Sequence, residues 1–375
     1  MKRARSRRTK KVNNTMLLTQ ELIVQILLRL PVKSLVRFQC VSKTWFSLIS
    51  DPQFAKSHFD LAFKPPTHKL VLLADSEILS IDFNASLHDD SASSALTPPN
   101  YFQFSQPYSS AQILGSCRGF LLLDCGDLCL WNPTTGSYKQ ICMSPIGSNL
   151  LDAMFFTFLY GFGYDPSKDD YLVVMVSYDP NTHDSTRAEM FSLRANGWKE
   201  MEGTHLSYMN CSDDARVGKL LNGAIHWLAY RYDVLVDLIV AFDLTERSFS
   251  DIPLPIDFEI DMNFCELEVL GGFLSLYVVG CDSPAEIWVM EEYKVQSSWT
   301  KTIVVSVDHI PNRYFSLVCS TESGDVVGTD GRTGLVKSDD KGQLKEHRSY
   351  SDDYLRVQVA VYTESLLSLP VEEDN

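Results

Sequence analysis

The chain has 375 residues, of which 45% are hydrophobic and 22% charged, with a formal net charge of −15. That length allows more than one domain and a large buried core, and the composition excludes wholesale disorder. The charge is uneven: residues 1–11, "MKRARSRRTKK", carry seven basic side chains, whereas from residue 61 onward 21 basic residues face 45 acidic ones, a balance of −24. A body this acidic repels phosphate backbones, which argues against nucleic acid as its partner.

No apolar run reaches the roughly 18 uninterrupted residues of a membrane span, so no membrane partner is expected. The basic start is not followed by the apolar core and cleavage site of a secretory leader. Nine cysteines are scattered, mostly in apolar runs such as "LDCGDLCLW", as expected of reduced core residues in a protein of the nucleus or cytoplasm. Cys125 and Cys129 lack a second Cys or His pair at ligand spacing, so no metal site is expected.

In chain order, residues 1–15 read as a disordered basic tail, either solvated or serving as a nuclear-import signal. Residues 16–60 read as three short helices. Thr19 is placed to cap the first, in which Leu22, Ile26 and Leu30 recur at four-residue steps before Pro31 stops it. The spacing of Leu35, Phe38, Val41, Trp45 and Leu48 predicts a second helix. Asp51 and Pro52 mark the start of a third. About forty residues cannot enclose this much apolar surface. The surplus packs either on the rest of the chain or in the apolar groove of a partner protein.

The stretch "LLTQELIVQILLRLPVKSLVRFQCVSKTWFSLISDPQFAKSHF" resembles an F-box, the motif that attaches substrate receptors to the Skp adaptor of cullin-based ubiquitin ligases. It departs at Thr19, where the family commonly has proline. The resemblance implies adaptor contacts at Leu18, Leu22, Ile26, Leu30, Pro31, Leu35, Val36 and Trp45, some of which would serve the module's own core.

From residue 61 the texture changes to short β-rich runs punctuated by Gly, Asn, Asp and Pro. Residues 61–112 read as a linker and first β repeat, and 113–370 as a series of such repeats. A strand ending in a polar turn recurs, as in "LCLWNPTTGSYKQI", "AEMFSLRANGWKEM", "IVAFDLTERSFSDIPLP" and "AEIWVMEEYKVQSSWTKTIVV". Aligned on Ile81, Trp131, Phe191, Phe242, Trp288 and Val336, the repeats are spaced by about fifty residues, a kelch-like blade length. The fold expected is therefore α+β multidomain: a short helical module followed by an all-β propeller of about six blades. Five or seven blades, or a pair of β-sandwiches, remain open. Trp131, Trp198, Trp227, Trp288 and Trp299 fall at comparable repeat positions and read as core staples.

"SCRGFLLLD", "LWNPTTGSYKQI", "YGFGYDPSKDDYLVV", "LNGAIHWLA", "LGGFLSLY" and "YTESLLSL" resemble the F-box-associated interaction domain of plant F-box/kelch-repeat proteins. The likeness is weakest over 321–350, where "GLVKSDDKGQLKEH" replaces a more apolar strand.

No catalytic constellation stands out. His205, His226 and His309 are separated, and His226 lies in a strand pattern as a core or pore residue. The acids of "YDPSKDDY" and "MEEY" sit at expected turns and strand ends, where turn hydrogen bonds account for them. "GFGYDP" follows no phosphate-binding pattern. The resemblances imply a non-catalytic subunit of a ubiquitin ligase, with no cofactor, whose partners are a Skp-type adaptor, through it a cullin, and a target protein on the propeller. A small-molecule-sensing receptor and a propeller enzyme are the alternatives. Rim loops 179–187, 230–237 and 257–264 are the candidate target-binding segments, and their acidity suits a basic partner surface.

Overall fold

The computed structural model describes residues 19–61, 68–73, 77–97, 111–142, 144, 158–178, 186–201, 208–209, 216–256, 258, 264–332, 334–350 and 358–369. The chain divides into two units, Met1–Phe63 and Lys64–Asn375.

Side-chain caps set three of the four helix starts of the first unit. Thr19 Oγ1 accepts the Leu22 N–H at 3.5 Å, opening α1 (Gln20–Leu27). Pro31 precedes α2 (Val32–Phe38). Ser42 accepts the Trp45 N–H at 3.2 Å, opening α3 (Lys43–Ile49). Asp51 accepts from the N–H groups of Gln53 and Phe54 at 2.8 and 3.0 Å, opening α4 (Pro52–Leu61) with Pro52 at its first position. Each cap satisfies donors that have no partner inside the helix.

The expected second helix is thus two. Its apolar spacing continues through Cys40 and Val41, but Ser42 leaves helical φ/ψ (−161°, 160°) to cap α3, so the unit has four short helices. Leu27, Leu35 and Ile49 are almost fully buried and form its core with Phe54 and Ala55. His58 Nε2–H donates to the Leu30 carbonyl at 2.9 Å, tying α4 to the turn after α1.

The second unit is a ring of six blades, each built on four antiparallel strands, and three of them carry one further short strand: Arg216–Val217, which pairs parallel with the first strand of blade 3, Tyr208–Met209 on blade 4 and Gly280–Cys281 on blade 6. Blade 2 comprises Gln112–Cys117, Phe120–Asp124, Leu128–Trp131 and Tyr138–Ile141. Blade 3 comprises Phe158–Asp165, Asp170–Tyr178, Thr186–Ser192 and Gly197–Glu200. Blade 4 follows with Lys219–Leu221, Ala224–Arg231, Val236–Asp243 and Ser248–Ile252. Blade 5 is Cys265–Leu270, Phe273–Val278, Ala285–Met290 and Trp299–Val305, and blade 6 is Tyr314–Ser320, Val326–Thr329, Gly334–Ser338 and Leu344–Ser349. Blade 1 is composite: His68–Leu73, Ile78–Ile81 and Ser93–Leu96 receive their innermost strand from the C-terminal Gln358–Thr363.

The inner strands of neighbouring blades pack against one another around the whole circle, blade 6 meeting blade 1 through the C-terminal strand. Closure removes the open sheet edge that a five-and-a-half-blade ring would expose. Asn132 reinforces it. Its Nδ2 donates to the carbonyls of Ser365 and Leu367 at 3.1 and 3.0 Å, while its Oδ1 accepts from the N–H groups of Thr134 and Thr135. The turn "NPTTG" is therefore also a clamp on the chain's last segment.

Ile81, Trp131, Phe191, Phe242, Trp288 and Val336 all lie on the third strand of their blades, so the sequence register is the structural one. The polar turn after that strand is an Asx or Ser turn in five blades. Asp82, Asn132, Ser192, Asp243 and Asp339 each accept a backbone N–H two or three residues ahead.

The tryptophans do not occupy one blade position. Trp131 and Trp288 are on third strands, Trp198 and Trp299 on fourth strands, and Trp227 on a second strand. Three nevertheless pin consecutive blades: Trp198, Trp227 and Trp299 donate their indole N–H to the carbonyls of Cys142, Tyr160 and Pro253 at 2.7, 2.7 and 3.2 Å. Blade 6 is complete despite its polar sequence. The ammonium of Lys337 donates to the Ala85 carbonyl at 2.8 Å, Lys345 pairs with Asp325 at 2.9 Å, and His347 pairs with Asp330 at 3.0 Å.

Candidate docking surfaces

On α1, Leu22 and Ile26 are 52% and 49% exposed. Their four-residue spacing places them on one helix face, while Leu27 turns inward. Pro31 is exposed, and Leu30, Val36 and Trp45 are partly buried. Trp45 packs edge-on against Phe38, ring centroids 5.4 Å apart, so its indole serves the α2–α3 contact as well as the surface. Leu35 is a correction: with 0% exposure it is a core residue and presents nothing to a partner. Three residues after Val32 on a seven-residue helix, it shares Val32's buried face. Leu18 lies outside the described residues.

Two further apolar side chains are exposed here, Val41 and Phe46. Phe46 borders a shallow surface pocket with Gln39, Cys40, Ser42 and Lys43. Sequence reasoning assigned Val41 to a helix interior. The signal was Ser42, whose cap breaks that helix and leaves Val41 in the connecting turn.

In the propeller, the sequence features that invite chemistry have structural duties. His226 is fully buried. Its Nδ1–H donates to the Lys219 carbonyl at 3.1 Å, which leaves Nε2 to accept from the Tyr293 hydroxyl at 2.8 Å. That neutral tautomer is stabilised because burial lowers the imidazole pKa to about 4. In "YGFGYDPSKDD", Gly161 makes room for Trp227. A Cβ there would stand 2.6 Å from the indole ring, and one at Gly163 would stand 2.4 Å from Leu244. Asp165 accepts from the Ser167 N–H at 2.9 Å and from Arg247 of the next blade at 2.6 Å, and Asp170 accepts from the Arg194 N–H at 2.9 Å. Cys129 is buried, and burial pushes the Cys125 thiol up to about 12. Among the described residues, no cluster of three His, Cys, Asp or Glu side chains is arranged to hold a metal ion. Among the same residues, no helix is long and apolar enough to cross a membrane.

Strand direction assigns each loop to a rim. The hairpins between second and third strands share one rim with the links from each blade to the next. Segment 230–237 is a hairpin tip on that rim, and Tyr232, Val234, Leu235 and Val236 are all exposed there. Of the other rim candidates, 179–185, 257 and 259–263 lie outside the described residues.

The chain thus has two parts, a helical module with an exposed apolar face and a closed six-bladed ring with exposed loops. The F-box domain family matches residues 16–57, and the F-box associated beta propeller domain family matches residues 69–369. The chain belongs to the F-box proteins that carry an F-box associated β-propeller domain. It is 30% identical to the F-box protein CPR1 of Arabidopsis thaliana, over 76% of this chain and 72% of that one. An F-box/kelch-repeat protein of the same plant is 28% identical over 76% and 78% of the two chains. Among solved structures, TolB from Acinetobacter baumannii overlays 83% of this chain and 71% of its own with a TM-score of 0.43 and 9% identity.

Proposed function

We propose that the chain is the substrate-recognition subunit of a Skp–cullin–F-box ubiquitin ligase. The α1 face docks on the Skp-type adaptor, and the propeller captures a target protein for ubiquitin transfer. The observation that carries this reading is the pair Leu22 and Ile26, exposed on a helix whose neighbours Leu27, Leu35 and Ile49 already complete the unit's own core. Burying such side chains stabilises a complex by roughly 1.5–3 kcal/mol each before the entropy of association is subtracted.

The mechanism is proximity. A target held on the ring experiences a raised effective concentration beside the charged conjugating enzyme, and bond making takes place on other subunits. Catalytic side chains in this chain are not needed for that role. His226, Asp165 and Asp170, the residues that most invite chemistry, are all engaged in holding the fold.

The test is Leu22→Asp and Ile26→Asp in the full chain. Both sites are exposed, so the propeller and the helical unit should melt at unchanged temperatures while adaptor co-purification falls by at least about a hundredfold, the effect of losing two anchors of a docking face. Undiminished co-purification with both variants would overturn the assignment of this face.

A further inference from the structure

The hairpin at 231–236 departs from the rest of the propeller surface in three ways. Four consecutive or nearly consecutive large apolar side chains, Tyr232, Val234, Leu235 and Val236, are exposed on it. Leu235 is 67% exposed and has a φ of 56°. Every other non-glycine residue with positive φ among the described residues is Asn, Asp, Arg or Lys. A leucine in the left-handed region costs about 1 kcal/mol or more, which Gly or Asn would relieve. Solvent exposure gives Leu235 no core packing to offset that cost.

The third departure is rigidity at the base. Arg231 forks onto Asp233, Nε to Oδ1 at 2.9 Å and Nη2 to Oδ2 at 3.1 Å, and its Nη1 donates to Asp251 on the fourth strand of the blade. Tyr208, whose strand pairs with the hairpin at Arg231, donates its hydroxyl to the same Asp251 at 2.5 Å. These bonds brace the base of the hairpin. Preorganisation of this kind reduces the ordering cost of association.

We propose that this hairpin is the anchor by which the ring grips its target, and that the target presents an apolar surface bordered by lysine or arginine. The proposal rests on the substrate-recognition reading above and specifies its partner. Charge complementarity selects the occupant. Asp233 and Asp251 share the guanidinium of Arg231, two carboxylates to one cation, in a body that carries −24 from residue 61 onward. Apolar side chains at the centre supply affinity, and the acidic border steers and orients a basic partner.

The experiment selects a random peptide library, displayed on phage, against the purified full-length chain. Enriched peptides should combine Leu, Val or Phe with adjacent Lys or Arg, and their binding should weaken between about 50 and 500 mM salt as the Debye length shrinks. Leu235→Gly and Val234→Ala should each reduce that binding by about tenfold or more. Leu235→Gly should also melt at the same or a higher temperature than the parent chain, because glycine relieves the backbone strain. Selection of peptides without that pattern, or equal binding by both variants, overturns the proposal. Failure of the underlying reading shows separately, as a parent chain that does not co-purify with a Skp-type adaptor.

Discussion

The helical unit and the ring handle apolar surface in opposite ways. In the 43 described residues of the helical unit, five large apolar side chains are exposed: Leu22, Ile26, Val41, Phe46 and Leu61. Among its described residues the ring, several times longer, exposes nine, and four of those crowd onto the single hairpin at 232–236. Size explains the ring's economy, because a larger body buries a larger fraction of its surface. Size does not explain where the remainder is placed. The helical unit concentrates it on the face of α1 and around Phe46, and the ring concentrates it at one hairpin tip. Exposed apolar clusters of this kind are the surfaces on which the proposed docking rests.

The comparison predicts that the two units answer separately to mutation. The largest expected effect is Trp227→Ala. The indole is buried against Gly161 and Gly218 and donates to the Tyr160 carbonyl, joining blades 3 and 4. Truncation should destabilise the ring by about 4 kcal/mol, from the cavity and the orphaned carbonyl together. Denaturant unfolding followed by tryptophan fluorescence checks this, and adaptor co-purification at low temperature should be unchanged. A loss of adaptor binding in step with ring stability would break the separation of the two surfaces.

A smaller effect is expected from acid, again confined to the ring. The folded pKa of His226 is lowered to about 4 from a reference of 6.5, chiefly by burial. The native state therefore excludes a proton that the unfolded state binds, and His226's contribution is intact above pH 6.5 and lost as pH falls toward 4. At pH 5 the loss is about 2 kcal/mol. His226→Gln should flatten the stability profile between about pH 4 and 6.5 relative to the parent chain, since glutamine does not titrate. Parallel profiles for the two proteins would show that the imidazole is not held neutral.

Much of this was legible in the sequence because blades repeat. The third-strand register of Ile81, Trp131, Phe191, Phe242, Trp288 and Val336 follows from an apolar strand ending in a residue that bonds its own turn, a local rule visible residue by residue. Ring closure was not legible. "QVAVYTESLLSL" completes blade 1 only through partners nearly three hundred positions away, such as the pairing of Lys69 with Tyr362 and the Lys69–Glu364 ion pair at 2.7 Å. The same limit explains the tryptophans. Their blade positions differ, and what unites Trp198, Trp227 and Trp299 is a carbonyl supplied by the preceding blade. In the helical unit, periodicity set Leu22 and Ile26 on one face and Leu35 on the next helix, and the F-box resemblance implied an adaptor contact at Leu35, which the structure buries. Spacing states which residues share a face and not which face the neighbouring helix covers.

The smallest predicted effect tests the break that periodicity missed. Leu35, Phe38, Val41, Trp45 and Leu48 keep helical spacing across residues 39–42, yet α2 ends at Phe38 and α3 starts after Ser42. The Ser42 hydroxyl accepts the Trp45 N–H, and its extended backbone turns the chain so that Trp45 meets Phe38 edge-on. Ser42→Ala removes the accepting oxygen and should cost the helical unit about 1 kcal/mol. Ser42→Asp retains an acceptor at the positive end of α3 and should restore most of it. The checks are chemical denaturation read by helical circular dichroism and the unchanged unfolding midpoint of the ring. If Ser42→Ala instead raised helicity and stability, a continuous helix would be the better description of residues 32–49. Val41 would then belong to a helix face rather than to the exposed turn beside Phe46.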